Sequence, residues 1–264
     1  MAFLCATLTS ILWAKDGPEI RKEMRGKTEY MFIDGIKVHE TDPKKQPQPK
    51  IVEPRPYDAK AAKSPKEAIV LFDGTKKTLQ NWQARNGGPT KWKLVEGALE
   101  SVRGGGDLQS KKEFGSCRLH VEFATPRVAK GTGQGRGNSG VFLMGQYEVQ
   151  VLDSYNNITY PDGQCGALYG RAKPLVNASR GPGEWQTYDI TFNRPTFNAK
   201  GEVTRKAKFH VVHNGHIIHD NLELSGIPIN NSAWDNHMYV GAVCNPEGNI
   251  FCVDQIGNNY YESA

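Results

Sequence analysis

The stretch YEVQVLD, from Tyr147 to Asp153, holds residues whose types suit acid–base chemistry on a sugar. It contains two carboxyl groups, Glu148 and Asp153, with the amide of Gln150 between them. Ordinary glycoside hydrolysis uses two carboxyl groups that lie roughly 5–5.5 or 6.5–9.5 Å apart. In a straight strand Glu148 and Gln150 are roughly 6.8 Å apart, but an amide cannot carry the proton, and Asp153 lies roughly 17 Å away. The usual pair of carboxyl groups is therefore absent unless the strand bends.

A single carboxylate suits a different reaction, in which one base removes an acidic proton from carbon. That reaction needs a substrate activated by a neighbouring ketone, and hydrogen-bond donors that hold the enolate oxygen. Glu148 is the predicted general base or metal ligand, and Asp153 assists if the strand bends. Side chains that could bind the substrate or the enolate oxygen lie close by in the sequence: Arg136, Asn138, Gln150 and Lys173.

Strand alternation predicts how this stretch is oriented. Residues two apart share a face, so Tyr147, Val149 and Val151 should pack into the core. Glu148 and Gln150 then point outward, into whatever groove the outer face makes. The alternative is that they are two ordinary polar residues on a solvated face.

Two glycine-rich motifs precede this strand, and neither predicts a nucleotide site or a nucleophile. GTGQGRG, residues 131–137, lacks the Lys-Ser/Thr of a phosphate loop and is interpreted as a flexible loop at a groove rim. GNSG, residues 137–140, resembles the nucleophile loop of serine proteases, but nothing else of that fold is present, so Ser139 is interpreted as structural. We expect no nucleotide cofactor.

The histidines of KFHVVHNGHIIHD form the second cluster that could do chemistry. A two-residue turn at Asn214-Gly215 would place His213 opposite His216 and His210 opposite His219, on opposite faces. Opposed side chains lie roughly 5 Å apart, close enough to share a metal ion, although a third ligand is not evident. Exposed polar residues of a hairpin are the alternative, so a divalent metal at Glu148, His213 or His216 remains an open hypothesis.

The elements that must position these residues are short strands. CRLHVEFA (117–124) and WQTYDITFN (185–193) alternate between apolar and polar residues, and Glu96-Gly97 and Asn214-Gly215 are hairpin signals. No helical periodicity of useful length competes with them. The sequence predicts an all-β fold, either a β-sandwich or a jelly roll.

The chain divides into three parts. Residues 1–14 form an apolar run that is interpreted as a signal segment, so we expect export to the periplasm or beyond, with a buried strand as the alternative. The run is too short to span a bilayer. Residues 15–67 form an arm, six of whose prolines fall in residues 43–65, and this arm either runs free or lies on the domain. Residues 68–264 form the β-domain.

Charge and cysteine content argue against a nucleic-acid-binding protein and against a zinc-ribbon protein. The formal net charge is only +5, and no basic stripe with interleaved aromatic residues is present, so we expect no nucleic-acid partner. No CxxC pair is present, which argues against a zinc ribbon. Four dispersed cysteines follow the leader, and they are interpreted as buried thiols; Cys244 and Cys252 are the pair best placed to bridge in an oxidising compartment.

A string of motifs in this sequence resembles the 3-keto-disaccharide hydrolase family. The motifs run in the family's order across roughly residues 68–224: LFDGT, NWQ, WKLVEGAL, GGGDLQSKKEFGSCRLHVEF, GRGNSGVFLMGQYEVQVLDS, GALYGRAKP and GEWQTYDITFN. The resemblance implies a concanavalin A-like jelly roll. It also implies an exported protein that acts on small glycosides oxidised at the sugar 3-position, by hydrolysis or by elimination of the aglycone.

The resemblance also implies site residues. The family's polar positions fall on Asn138, Glu148, Gln150 and Asp153, with Tyr169 and Lys173 in an adjoining loop. The C-terminal region departs from the family, because MYVGAVCNPEGNIFCVDQIGNNYYESA lacks the His-Gly and Arg-Asn of other members. Two alternatives to an enzyme therefore stay open. One is a lectin-like module in which Trp82, Trp92, Tyr155 and Tyr160 stack on sugars, and the other is a structural protein without a ligand.

Overall fold

The alternating segments of the sequence form β-strands. The structure, a computed structural model, describes residues 20–25, 28–33, 36–40, 42, 45–57, 66–224, 237–241, 251–253 and 256–257. The strands before the β-domain are β1 (Ile20–Arg25), β2 (Thr28–Ile33), β3 (Ile36–Glu40) and β4 (Lys50–Ile51). The strands of the domain are β5 (Trp82–Ala84), β6 (Lys93–Val95), β7 (Ala98–Glu100), β8 (Leu108–Glu113), β9 (Cys117–Ala124), β10 (Ser139–Leu143), β11 (Tyr147–Val151), β12 (Val176–Asn177), β13 (Gln186–Asn193), β14 (Thr196–Phe197), β15 (Val203–Arg205), β16 (Ala207–His213), β17 (His216–Leu224), β18 (His237–Gly241), β19 (Phe251–Val253) and β20 (Ile256–Gly257). One short helix, α1 (Lys76–Leu79), follows Thr75, whose side chain caps it.

Two large sheets make the domain. The first has the strand order β11-β10-β18-β8-β5, and the second has the order β17-β16-β13-β9-β19-β7-β6, with β20 also paired to β9. Three smaller sheets accompany them, formed by β1-β2-β3, by the parallel pair β12-β4 and by β14-β15. The predicted all-β, concanavalin A-like jelly-roll sandwich is confirmed.

The core lies between the two large sheets. Strands β9, β13 and β16 alternate between buried and more exposed residues as the pattern predicted. Tyr147 of the first sheet has its ring centroid 5.7 Å from Phe192 and 5.4 Å from Phe209 of the second. Apolar side chains from both sheets therefore meet in one layer, which fixes which face of β11 is left for chemistry.

Two tryptophans belong to this core, which corrects their interpretation as sugar-stacking residues. Trp82 and Trp92 are 6% and 4% exposed. Their indole nitrogens donate to the carbonyls of Leu71 at 3.1 Å and Gly106 at 2.9 Å. Each ring is buried and its polar atom is paired, so neither presents a face to a ligand.

The predicted hairpins are formed by residues in left-handed backbone conformations. Glu96 and Gly97, with φ of 49° and 81°, join β6 to β7, and Asn214 and Gly215, with φ of 47° and 80°, join β16 to β17. Positive φ at both central positions matches the twist of the flanking strands. The hairpin between β10 and β11 turns through Met144 and Gly145, also at positive φ.

The N-terminal arm is ordered against the domain in the described residues 45–57. Strand β4 pairs with β12, and the backbone N–H of Val52 donates to Asn177 O at 3.0 Å. Residues 36–40 form the strand that the pattern IKVHE predicted. The signal segment, residues 1–14, lies outside the described residues. None of the helices in the described ranges has the length and apolarity that crossing a bilayer requires.

Candidate functional site

Glu148 lies on the face of β11 that points away from the core. The register pairs Gly140 of β10 with Gln150 and Phe142 with Glu148. A Cβ atom at Gly140 would lie 2.8 Å from both Cγ and Cδ of Glu148, and closer still to Oε1. Glycine at 140 therefore leaves the room that the Glu148 carboxyl group occupies.

This face is covered by loops, which argues against the alternative of two ordinary polar residues on a solvated face. Gln150 is only 1% exposed, and Glu148 is half-buried. The covering segments are residues 131–138 on one side and residues 159–170 on the other. The alternation was predicted correctly, but strand periodicity does not indicate what a loop lays over a sheet.

Gln134 joins the two covering segments. Its Nε2 donates to Thr159 Oγ1 at 3.0 Å and to Gly163 O at 2.8 Å. Asn138 Nδ2 donates to the Gln134 backbone oxygen at 2.9 Å and approaches its side-chain oxygen at 3.3 Å. The glycine-rich loop is thus held at the site by one amide side chain.

The Gln150 amide lies between Gln134 and Glu148 and can donate to either one, according to which of its ends carries the nitrogen. One end of the amide lies 2.9 Å from Gln134 Oε1, and the other end lies 3.1 Å from Glu148 Oε1. With its nitrogen at the second end, the amide donates to the Glu148 carboxyl group and to Ser139 O. An amide is thereby placed beside the carboxyl group, and the substrate-binding role of Gln150 stays a prediction.

Two tyrosines complete the site. The hydroxyl groups of Tyr160 and Tyr169 share a hydrogen bond of 2.7 Å, and the Tyr169 backbone N–H donates to Glu148 O at 3.0 Å. Burial raises the pKa of both phenols, and the nearby Glu148 charge raises each pKa further. Two neutral phenols therefore stand close to one carboxyl group.

The electrostatics of the site favour a protonated carboxyl group at neutral pH. Removal from water raises the pKa of Glu148 to about 8 from an ordinary 4.5, and the charge of Asp107 adds to the rise. A carboxyl group with a pKa near the working pH can both accept and return a proton, which is the property that general acid–base catalysis requires.

Arg136 and Asp153 form a pair that shapes the next loop. Arg136 Nε donates to Asp153 Oδ2 at 2.7 Å, and Nη2 donates to Tyr155 O at 2.8 Å. The other Asp153 oxygen accepts the Tyr155 backbone N–H at 3.2 Å, and the Asp153 side chain is only 1% exposed. Both groups are engaged in holding the loop, so their assignments as catalytic and substrate-binding residues stay predictions.

Lys173 contacts the N-terminal arm, and its predicted role in substrate binding stays a prediction. Its ammonium group donates to Pro47 O of the N-terminal arm at 3.1 Å. Among the predicted residues, the structure brings together Asn138, Glu148, Gln150 and Tyr169.

Sequence reasoning missed Gln134 as a site residue and gave Tyr160 only a stacking role. Gln134 is the one amide side chain in GTGQGRG, a loop already interpreted as the rim of a groove. Tyr160 lies in the loop after β11, and no local sequence pattern predicts the path of that loop. The one signal that could have identified Gln134 was composition, because a single amide side chain in a glycine-rich loop can reach a neighbouring loop.

The histidine hairpin differs from its prediction in two respects. His213 is opposite His216 as expected, but a register shift pairs His219 with Val211, so His210 and His219 are not opposed. His213 and His219 are also buried, at 0% and 3% exposure, rather than exposed. A bulge in β17 explains the first difference, because one extra residue between Ile217 and His219 changes the later pairings.

One ring nitrogen each of His213 and His216 lies within hydrogen-bond distance of an oxygen of the fold. His213 Nε2 lies 3.0 Å from Gln186 Oε1, and His216 Nε2 lies 2.8 Å from Glu53 O. Burial is the first cause that lowers the pKa of His213 to about 3. Across the described part of the chain, no cluster of three His, Cys, Asp or Glu side chains could hold a metal ion.

The cysteines agree with their interpretation where the structure describes them. Cys117 and Cys165 are free, buried thiols. Cys244 lies outside the described residues, and the side chain of Cys252 is not described, so the suggested bridge stays a prediction.

Comparison with known proteins places this site in a family. The sequence profile of the 3-keto-alpha-glucoside-1,2-lyase-like domain matches residues 67–249. A solved protein from Parabacteroides distasonis ATCC 8503, to which a glycosyl hydrolase function has been ascribed, is 36% identical with a TM-score of 0.70, and the alignment covers 81% of this chain and 93% of that chain. A second protein from that organism, with the same ascribed function, is 14% identical with a TM-score of 0.51 over 78% of this chain and 99% of that chain, which shows the fold alone. A comparison with curated proteins gives no match.

The profile covers well over half of the chain, and it includes Glu148 together with Gln134, Asn138, Gln150, Tyr160 and Tyr169. The predicted family is therefore confirmed, and it supports an action on carbohydrate. The chain belongs to the family of 3-keto-alpha-glucoside-1,2-lyase-like domains.

Proposed function

We propose that this protein cleaves glycosides that carry a ketone at sugar C3, with Glu148 as the group that moves the proton. The observation that carries the proposal is the Glu148 carboxyl group itself. It is half-buried beside one amide and two phenols, and its pKa is raised to about 8. A ketone at C3 makes the C2 proton acidic, so a single base suffices where ordinary glycosides need two carboxyl groups.

The first step would be proton removal. Ionised Glu148 takes the proton from C2, and the electron pair of that C–H bond forms the C2=C3 bond of an enolate, whose negative charge rests on the C3 oxygen. Amide and hydroxyl donors close to Glu148 would hold that oxygen. The candidate donors are Gln150, Asn138 and the Tyr160–Tyr169 pair, which would turn from their present protein partners to the enolate oxygen.

The second step would expel the aglycone. The enolate oxygen re-forms the C3 ketone, the C1=C2 bond forms, and the electron pair of the C1–O bond leaves with the aglycone oxygen. That oxygen takes a proton, which Glu148 or the tyrosine pair can supply. The product is an unsaturated ketone, and addition of water across its C1=C2 bond would give the hydrolysis product. No oxidant or reductant is consumed.

The test offers the purified full chain a 3-keto-disaccharide and its unoxidised parent. NMR in heavy water follows the C2 proton, and an assay for free sugar follows cleavage, each with and without chelator. We expect loss of the C2 proton signal and release of the aglycone sugar from the keto form only. Binding of both sugars without turnover would overturn the enzymatic proposal and favour a lectin, and no response to either would favour a structural protein.

A further inference from the structure

The N-terminal arm lies along the loops that cover the site, although residues 45–57 fall outside the part of the chain that matches the family. Main-chain bonds dock it. The Arg55 N–H donates to Asn214 O at 3.1 Å, and Glu53 O lies 2.8 Å from His216 Nε2. Together with the pairing of β4 and β12, these bonds hold the arm along a path from the β16–β17 hairpin to the loop of residues 159–170.

Gln48 is the point at which the arm reaches the turn beside Glu148. Its Nε2 donates to Thr159 O at 3.0 Å, and its Oε1 accepts from Gln164 Nε2 at 3.0 Å. The neighbouring Pro47 O accepts from Lys173 Nζ at 3.1 Å. Two consecutive arm residues thus hold the beginning, the middle and the far end of residues 159–173.

Gln134 holds the same turn from the opposite side, through Thr159 Oγ1 and Gly163 O. The turn is therefore fixed between two glutamines, one in the domain and one in the arm. Within the turn, Gly163 N donates to Tyr160 O at 3.0 Å, and a Cβ at Gly163 would collide with the Tyr160 ring. The position of this turn sets where the Tyr160 ring lies.

We infer that Gln48 is a positioning residue for the Glu148 site: its amide fixes the Thr159–Gln164 turn, which places the Tyr160 hydroxyl against Tyr169 and keeps water from the carboxyl group. The inference rests on the proposed function for its effect on turnover. The structural part of the inference, that Gln48 fixes the Thr159–Gln164 turn, does not depend on the proposed function. Gln48 acts through the turn and does not touch the substrate.

Loosening the Thr159–Gln164 turn should change the pH dependence of the reaction. Exclusion of water is the first cause of the raised Glu148 pKa, so a turn that admits water lets that pKa fall toward its ordinary value. The rise of kcat/KM with pH would then move to lower pH. A residue that served only overall stability would leave that profile in place.

The experiment compares Gln48→Met with Lys50→Ala in the full chain. Methionine keeps the length and bulk of the side chain but loses both hydrogen bonds, and Lys50 is an exposed residue of the same arm, on β4. Amide hydrogen exchange is followed at Gly163, Gln164 and Gly166, whose N–H groups donate to Tyr160 O, Pro161 O and Gln150 O. Turnover of the 3-keto-disaccharide is measured from pH 6 to pH 9.

For Gln48→Met we expect faster exchange at these amides, a kcat about 3- to 10-fold lower, and a pH profile displaced to lower pH, because one pair of hydrogen bonds is lost. Lys50→Ala should match wild type in amide exchange, in kcat and in the pH profile. Unchanged exchange in Gln48→Met would overturn the inference whether or not the wild type is active. Faster exchange with an unchanged rate and profile would overturn the positioning role. Faster exchange in Gln48→Met, together with a wild type that never turns over the keto sugar, would overturn the proposed function and uphold the hold of Gln48 on the turn.

Discussion

Hairpins β10–β11 and β16–β17 are built alike but use their ionisable residues differently. Both turn through residues at positive φ, and both place ionisable side chains wholly or partly out of water. In β16–β17, His213 and His219 are tied to Gln186 Oε1 and Gly166 O. In β10–β11, Glu148 instead faces one amide and two phenols.

Burial shifts the pKa of both sets toward the neutral form, but with different consequences. It lowers the pKa of His213 to about 3 and that of His219 to about 4, so both stay neutral at ordinary pH. It raises the pKa of Glu148 to about 8, so that carboxyl group changes charge near neutral pH. A buried ionisable group thus serves chemistry when its proton can move within the working pH range and its neighbours can share it, and not merely when it is buried.

The largest expected effect is the loss of turnover in Glu148→Gln. Glutamine keeps the shape and the hydrogen bonding of the neutral side chain but cannot take a proton, so kcat should fall about 10²- to 10⁴-fold. The rate of C2-proton loss from the 3-keto-disaccharide measures this. Glu223→Gln, on β17, is the matched control and should keep the wild-type rate. A Glu148→Gln rate within threefold of wild type would remove Glu148 from the reaction.

The next effect is the pH dependence of kcat/KM in the wild type. A general base must be ionised, so activity should rise about tenfold per pH unit below a pKa of about 8 and level off above it. The expected difference between pH 6 and pH 8 is about 50-fold, because the base is only half ionised at its pKa; it is measured after subtraction of the uncatalysed elimination in each buffer. A flat profile over this range would mean that Glu148 ionises as an exposed carboxyl group, and the contrast with the histidine hairpin would fail.

The sequence predicted those parts of this contrast that depend on local geometry. Asn214-Gly215 demands one kind of turn, so the hairpin and the opposition of His213 and His216 followed from two residues. Alternation likewise assigned Glu148 and Gln150 to one face of a strand. The sandwich class followed from repeated signals of this kind, and the family motifs pointed to Tyr169.

The remaining features depend on contacts between distant parts of the chain. The bulge that moves His219 opposite Val211 has no local marker, and neither does the burial of Trp82 and Trp92. Gln48 lies 111 residues from Thr159. A long loop and a proline-rich arm carry no periodicity, so sequence pattern alone could not predict that they close over Glu148.

The smallest expected effect is on stability, where the two hairpins should respond to pH in opposite directions. The unfolded chain binds more protons at His213 between pH 6.5 and pH 3, so stability falls as the pH falls through that window. The folded chain binds more protons at Glu148 between pH 4.5 and pH 8, so stability falls as the pH rises through that window. Replacing either residue by one that does not ionise should remove its own dependence and leave the other.

His213→Leu and Glu148→Gln test this through urea unfolding at several pH values. Between pH 7 and pH 5, the free energy of unfolding of His213→Leu should fall by about 2 kcal/mol less than that of wild type, because protonation of the unfolded histidine no longer competes with folding. Glu148→Gln should keep the acid loss and lose the alkaline one. Curves for His213→Leu and wild type that stay parallel from pH 7 to pH 5 would show that His213 is not held neutral by the fold. Parallel curves for Glu148→Gln and wild type from pH 5 to pH 9 would remove the raised pKa on which the catalytic role of Glu148 depends.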